Sequence, residues 1–374
     1  MLIRLLSYRI YIAVVLLPFL SVFLAGSQEQ KPAGSTPAQS APPVTPAESM
    51  EPTPQIDLPT GTRLGVTPSG EVTVLRAKED FSSLSLVGSD LHAEPPLLGS
   101  REHTKTFIRE LWQVRWRPND PIDLYVIRPI GVKNPPVVLY LYGFPSETDR
   151  FKNDGYCQRV TQNGAAAIGF VSAFTGHRAE HHPPRQWFVS ELPEALASTV
   201  HDVQMVLNYL DSRGDLDISR VGIFGQGSGG AIAILAAAAD PRLKALDLLD
   251  PWGDWPDWLA KTDVLQKEAR ADYLKPDFLK QLEPLEPVRF LPELKSRSIR
   301  IQFVEPNGEP TDAVGKLKAA APSTAKVIEY HNMLQFHSAV ADGNLFVWIA
   351  TELQSQKDTK PESKEAAART KPAQ

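Results

Sequence analysis

A short apolar run at 219–224 (SRVGIF) leads directly into Gly225-Gln226-Gly227-Ser228-Gly229-Gly230 and then into an alanine-rich stretch ending at Ala239. A strand that turns sharply into a helix crowds its own backbone, and glycines at the turn remove the side chains that would collide. The first amides of the helix have no intrahelical acceptor and lie at the positive end of its dipole. Such a turn can therefore hold a developing negative oxygen. Ser228 places a hydroxyl in this turn, so the chemistry to weigh is acyl transfer, which also needs a base and an orienting acid.

Three other groupings have residue types that do chemistry. His177, Glu180, His181 and His182 contain metal-ligating side chains. His177 and His181 share a face only on a helix, and Gly176 before them and Pro183-Pro184 after them argue for a loop. With Cys157 as the single cysteine, a Cys-based zinc cage and an internal disulfide are excluded, and neither a metal nor a cofactor is expected. Trp252, Trp255 and Trp258 recur every third residue. On a helical turn, with Pro256 in the first turn, they form an aromatic stripe that reads as a hydrophobic cover on the sheet edge. Arg115-Trp116-Arg117 reads as alternating strand residues rather than a ligand clamp.

The elements around the turn alternate. Residues 107–117 and 121–129 flank a Pro-Asn-Asp turn and predict an antiparallel hairpin. Residues 136–142 (PVVLYLY) form an unbroken apolar run, expected of a strand buried on both faces. A helix near 150–163, a strand at 165–173 and a long helix at about 190–213, closed by Gly214, follow. After the turn come a strand at 244–250, a Trp- and Pro-rich interruption at 251–297, a strand at 299–304, a helix at 311–321, a strand at 326–330 and a last amphipathic helix at 339–353. Such alternation implies an α/β fold with a mostly parallel sheet wrapped by helices.

The strand–GQGSGG–helix segment, the element order, the Tyr142-Gly143-Phe144 turn after an early strand and a late histidine together resemble the α/β-hydrolase superfamily, particularly its extracellular esterase and peptidase-like branches. The resemblance covers roughly residues 105–353. In that family a Gly-x-Ser-x-Gly turn carries the nucleophile in a strained backbone conformation. Laid on residues 225–230, the common Gly-x-Ser-x-Gly-Gly pattern puts Gly225, Gly229 and Gly230 on the motif's glycines and Gly227 on the nucleophile position. The other register makes Ser228 central but puts Gln226 where a hydrogen is usually required, so sterics favour the first.

The resemblance also implies where partners would lie. An acid follows the strand at 299–304, where Glu305, Glu309 and Asp312 stand and Glu309 fits best, the alternative being a solvated loop of acidic residues. Asp250, at the end of the preceding strand, is a second candidate, or else a cap or turn residue before Pro251. His337 fits the base's slot, with His331 nearer the strand and Ser338 able to cap the last helix. Oxyanion donors would be the amides of Phe144 and Ser228, Pro145 having none. Inserts after the strand at 244–250 often form a lid in this fold, which gives 251–297 a second reading as a pocket cover.

The ends differ in composition. Basic Arg4 and Arg9, an apolar run from Ile10 to Ala25 and the small residues Ala25-Gly26-Ser27 predict a secretory signal at 1–27. The rival reading is an uncleaved anchor, against which the run is shorter than the ~20 residues of a bilayer span. Residues 28–56 predict a Pro/Ala/Ser/Thr-rich linker and 354–374 a disordered tail, leaving 57–353 as the folded domain. The expected location is exported, with membrane attachment only if the leader is retained. A net charge of −5 argues against a nucleic-acid partner held by electrostatics.

The chain therefore reads as an α/β-hydrolase-fold protein with two functional expectations. In one, Gly227 occupies the nucleophile position and the crevice binds a small-molecule or peptide-like ligand through a carbonyl or anion without turning it over. In the other, Ser228 attacks an ester or peptide bond with His337 as base and Glu309 or Asp250 as the acid.

Overall fold

The computed structural model describes residues 79–358 apart from 119, 145–147, 175–177, 179–183, 306–308 and 343, together with strands at 62–66 and 72–76. All of these lie in the second of two units, Pro59–Gln374. The expected leader at 1–27, linker at 28–56 and most of the tail fall outside the described residues, as do His177, Glu180, His181 and His182. Among the described residues no helix is long and apolar enough to cross a membrane.

Strands β1 (Thr62–Val66) and β2 (Val72–Arg76) pair as an antiparallel hairpin. The main sheet begins with β3 (Leu97–His103), β4 (Phe107–Val114) and β5 (Ile122–Pro129), which run antiparallel. The expected hairpin is β4–β5, paired from Phe107 with Pro129 to Val114 with Ile122. Strand β4 stops at Val114, so Arg115–Arg117 is not alternating strand: Trp116 and Arg117 are consecutive and both buried.

The chain continues through β6 (Pro136–Leu141), α1 (Asp154–Thr161), β7 (Ala166–Phe170), α2 (Pro184–Arg213), β8 (Asp217–Gln226), α3 (Ser228–Ala239) and β9 (Leu243–Leu249). A cap of short helices follows, α4 (Trp255–Lys261), α5 (Arg270–Tyr273), α6 (Pro276–Leu282) and α7 (Pro287–Phe290). Last come β10 (Ser298–Val304), α8 (Thr311–Ala320), β11 (Lys326–Tyr330), α9 (Met333–Ala341) and α10 (Asn344–Asp358). The nine strands lie in the order β11-β10-β9-β8-β6-β7-β5-β4-β3, parallel from β7 to β11.

Alternating side chains of one strand feed the two faces. Val137, Leu139 and Leu141 of β6 join the apolar layer under α2, α3 and the cap, while Val138, Tyr140 and the following Tyr142 join the layer under α1 and α10. Every residue of β6 is buried, as its unbroken apolar run requires.

The C-terminal helix expected at 339–353 is instead two. Asn332 caps α9 by accepting from the Gln335 amide, so Ser338 lies inside a helix rather than at its start. Helix α10 then runs past 353 to Asp358, with Leu353 fully buried and the Gln354 amide donating to the Asn163 carbonyl.

Candidate functional site

The turn between β8 and α3 is built by exclusion. A β-carbon on Gly225 would sit 2.4 Å from the Gly229 carbonyl oxygen, and one on Gly229 would sit 2.3 Å from that of Leu141. At Gly230 it would meet Pro251 Cα at 2.8 Å, and at Gly143, in the loop after β6, the Gln226 carbonyl oxygen at 2.6 Å. The four glycines let β6, β8 and α3 converge closer than any side chain permits.

Gly227 joins strand to helix at φ 56° and ψ −119°, a conformation L side chains rarely adopt. Its amide donates to the Leu249 carbonyl at 3.0 Å, and its own carbonyl accepts from the amides of Gly230, Ala231 and Trp252 at 3.0–3.2 Å. Where its β-carbon would be, the nearest described atoms are Trp252 Nε1 at 3.4 Å and Gly143 Cα at 3.7 Å.

Ser228 is the first residue of α3 and is fully buried. Its Oγ accepts the Phe144 amide hydrogen at 2.9 Å. One of the two anticipated oxyanion donors is thus engaged by the side chain of the residue supplying the other.

Glu309 lies between two indoles of the cap. Trp252 Nε1 donates to Oε1 at 3.0 Å and Trp258 Nε1 to Oε2 at 2.7 Å. Burial pushes the Glu309 carboxyl up to about 8, with the nearby charges of Asp250 and Asp263 adding to the rise and the two indole bonds opposing it. A group poised there can hold a proton near neutral pH. Trp252, Trp255 and Trp258 are all buried, with the Trp252 and Trp258 ring centroids 4.3 Å apart. Trp255 and Trp258 stand on α4 with Pro256 in its first turn, whereas Trp252 precedes the helix, so the three do not form a single helical stripe. A groove of about 470 Å³ opens within the cap, lined by Trp255, Leu279, Lys280, Glu283 and Glu286 among others, and not by Gly227 or Glu309.

Of the remaining candidates, Asp250 lies near Glu309 but serves the backbone. Asp250 has a left-handed φ of 44°, and its Oδ1 accepts the Val304 amide at 2.9 Å, so it ties the ends of β9 and β10 together. His337 lies at the middle of α9, its ring beside that of Phe336, and its Nε2 is buried without a hydrogen-bond partner among the described residues. His331 is exposed, with Nδ1 3.8 Å from Glu305 Oε2. Asp312 forms an exposed ion pair with Lys261. Among the described residues no hydrogen bond links either histidine to Ser228 or Glu309, and no group of three metal-ligating side chains occurs. Cys157 is buried, its Sγ donating to the Phe151 carbonyl at 3.0 Å.

Trp252 and Trp258 as partners of Glu309 escaped the sequence reading. The pairs are separated by 57 and 51 positions, and nothing local in the sequence joins them.

No family model and no curated protein sequence matches the chain. Solved structures do. An acetyl xylan esterase from Paenibacillus sp. R4 is similar over 68% of this chain and 88% of that one, at 17% identity and a TM-score of 0.54. Acetyl xylan esterase 1 from Thermoanaerobacterium sp. JW/SL YS485 is similar over 69% and 89%, at 14% identity and a TM-score of 0.53. A 2,6-dihydroxy-pseudo-oxynicotine hydrolase gives 17% identity and a TM-score of 0.50 over 68% of this chain and 70% of its own. With the sheet order above, these likenesses show that the chain has the α/β-hydrolase fold.

Proposed function

We propose that this chain uses the α/β-hydrolase fold for binding or scaffolding and does not carry out acyl transfer at the β8–α3 turn. The observation that carries this reading is Gly227 at φ 56° between strand and helix, where the fold's enzymes present their nucleophile. The adjacent hydroxyl does not substitute for one. Ser228 Oγ is fully buried and occupies the Phe144 amide, a position in which it fills the place a substrate carbonyl oxygen would take.

The acid position supports the same reading. Glu309 accepts from two indole N–H groups, which are donors without a lone pair, so neither of these bonds can relay a proton toward the turn. The ligand proposed is a small molecule or a peptide-like segment held in the crevice above the sheet. The leader at 1–27 supports export as the route to it.

A fluorophosphonate probe tests the reading directly. The purified protein is expected to remain unlabelled and to hydrolyse p-nitrophenyl acetate no faster than its Ser228→Ala variant. Stoichiometric labelling mapped to Ser228 would establish an active serine hydrolase with a displaced nucleophile instead.

A further inference from the structure

A second buried cluster lies away from the turn, where residues 79–86 cross α2. Both ring nitrogens of His201 face oxygen acceptors there: Nδ1 is 2.7 Å from Glu79 Oε1, and Nε2 is 2.8 Å from the Ser83 carbonyl oxygen. A backbone carbonyl only accepts. Glu79 is held as a carboxylate, because Arg117 grips it through Nε at 2.6 Å and Nη2 at 2.5 Å. Burial acts to raise the Glu79 carboxyl, but the bonds from Arg117 and His201 outweigh it and keep it below its ordinary range.

A neutral imidazole has one N–H and one lone pair, so it would turn a lone pair toward one of these oxygens. The His201 side chain is 1% exposed, which leaves little room for solvent to relieve that contact. The surrounding charges agree. Glu79 and Asp80 on the crossing segment, Asp120 before β5 and Asp202 on α2 are four carboxylates, set against the guanidiniums of Arg117 and Arg178. Asp202 bonds both guanidiniums, and Arg178 also bonds Asp120. On the cap side, Arg289 and Glu293 line a groove with Ser82–Ser85. An imidazolium complements the excess of negative charge.

The segment is also fastened one turn further along α2, where Gln204 Nε2 donates to the Leu84 carbonyl at 2.8 Å. Phe81 stacks on the His201 ring, and Phe81, Leu84 and Leu86 pack on the main core. We propose that His201 is a buried imidazolium whose proton latches residues 79–86 onto α2, and that removing this proton loosens the strap and uncovers the apolar surface beneath it.

The test uses the full chain. Hydrogen exchange of peptides covering 79–86, corrected for intrinsic rates, is followed from about pH 6 to about pH 9, alongside the ¹⁵N resonances of His201. Strap protection is expected to fall at least ~10-fold across this range while α3 stays protected, and both His201 nitrogens are expected to be protonated at the acid end. His201→Gln should leave the strap poorly protected at every pH. A lone-pair nitrogen on His201 at the acid end, strap protection independent of pH, or His201→Gln as protected as the wild type would overturn the proposal. Should that variant not fold, the two wild-type measurements decide.

Discussion

Trp252 Nε1 lies 3.4 Å from the point where a β-carbon on Gly227 would stand, and its hydrogen is donated to Glu309 at 3.0 Å. A hydroxyl introduced at 227 would therefore meet an indole N–H, which can donate but cannot take a proton. Gly227→Ser is expected to give no gain in p-nitrophenyl acetate hydrolysis over wild type and no fluorophosphonate labelling. It should lose about 1–3 kcal/mol of stability in urea, the usual cost of a side chain at a left-handed φ. A tenfold or larger gain in kcat/KM would mean that a base reaches this position.

The glycines on either side of Gly227 fail for a different reason. At 227 the added β-carbon has ordinary van der Waals room, whereas at 229 it would overlap the Leu141 carbonyl oxygen at 2.3 Å, and backbone of a central strand cannot step aside. Gly229→Ala should abolish soluble expression or lower Tm far more than Gly227→Ala. Equal melting temperatures for the two variants would show that β6 and α3 can separate at little cost.

This contrast also marks what the sequence makes legible. The crowding of Gly225 against Gly229 is local, so the motif alone announces it, and the unbroken apolar run of β6 announces a strand buried on both faces, whereas the contact of Gly229 with Leu141 forms only on folding. Strand β3 is silent because all seven of its residues are exposed at the sheet edge, where no alternation is required. The slot for His337 requires the last helix to start after it, but Asn332 starts an extra helix earlier, and His337 sits at the middle of that helix. The Glu309 clamp and the Arg117–Asp202 contact, 85 positions apart, are products of folding that no window of sequence contains.

Glu309 makes stability depend on pH in the sense opposite to a salt-bridged carboxylate. Its carboxyl rises from 4.5 to about 8 on folding, so between these values the native state binds more protons than the unfolded chain. This stabilisation is complete below about pH 4.5 and is lost as pH rises through about 8. Tryptophan emission should report a transition near pH 8, because the two indoles hydrogen-bond the titrating group. Glu309→Gln should remove that transition and flatten the Tm profile between about pH 5 and 8, at a cost of ~1 kcal/mol for the indole facing the new amide. Persistence of the transition in the variant would assign it to another group.

Asp202 acts at the other end of the pH scale. Its carboxylate is fully buried, with Oδ1 accepting from Trp116 Nε1 at 2.8 Å and from Arg117, and Oδ2 accepting from Arg178 at 2.8 Å. Burial alone would raise this carboxyl, but the two guanidiniums outweigh it and hold it below its usual range. The native state then binds fewer protons than the unfolded chain, so this contribution is present above about pH 4 and is lost as pH falls further. Asp202→Asn sets an amide N–H₂ against a guanidinium and leaves two buried cations undercompensated, for which ~3–5 kcal/mol is the expected loss. Urea unfolding at neutral pH measures that loss. The same titration near pH 3 should show wild type and variant converging, whereas an unchanged gap would mean that the lost stability comes from packing rather than from the charge of Asp202.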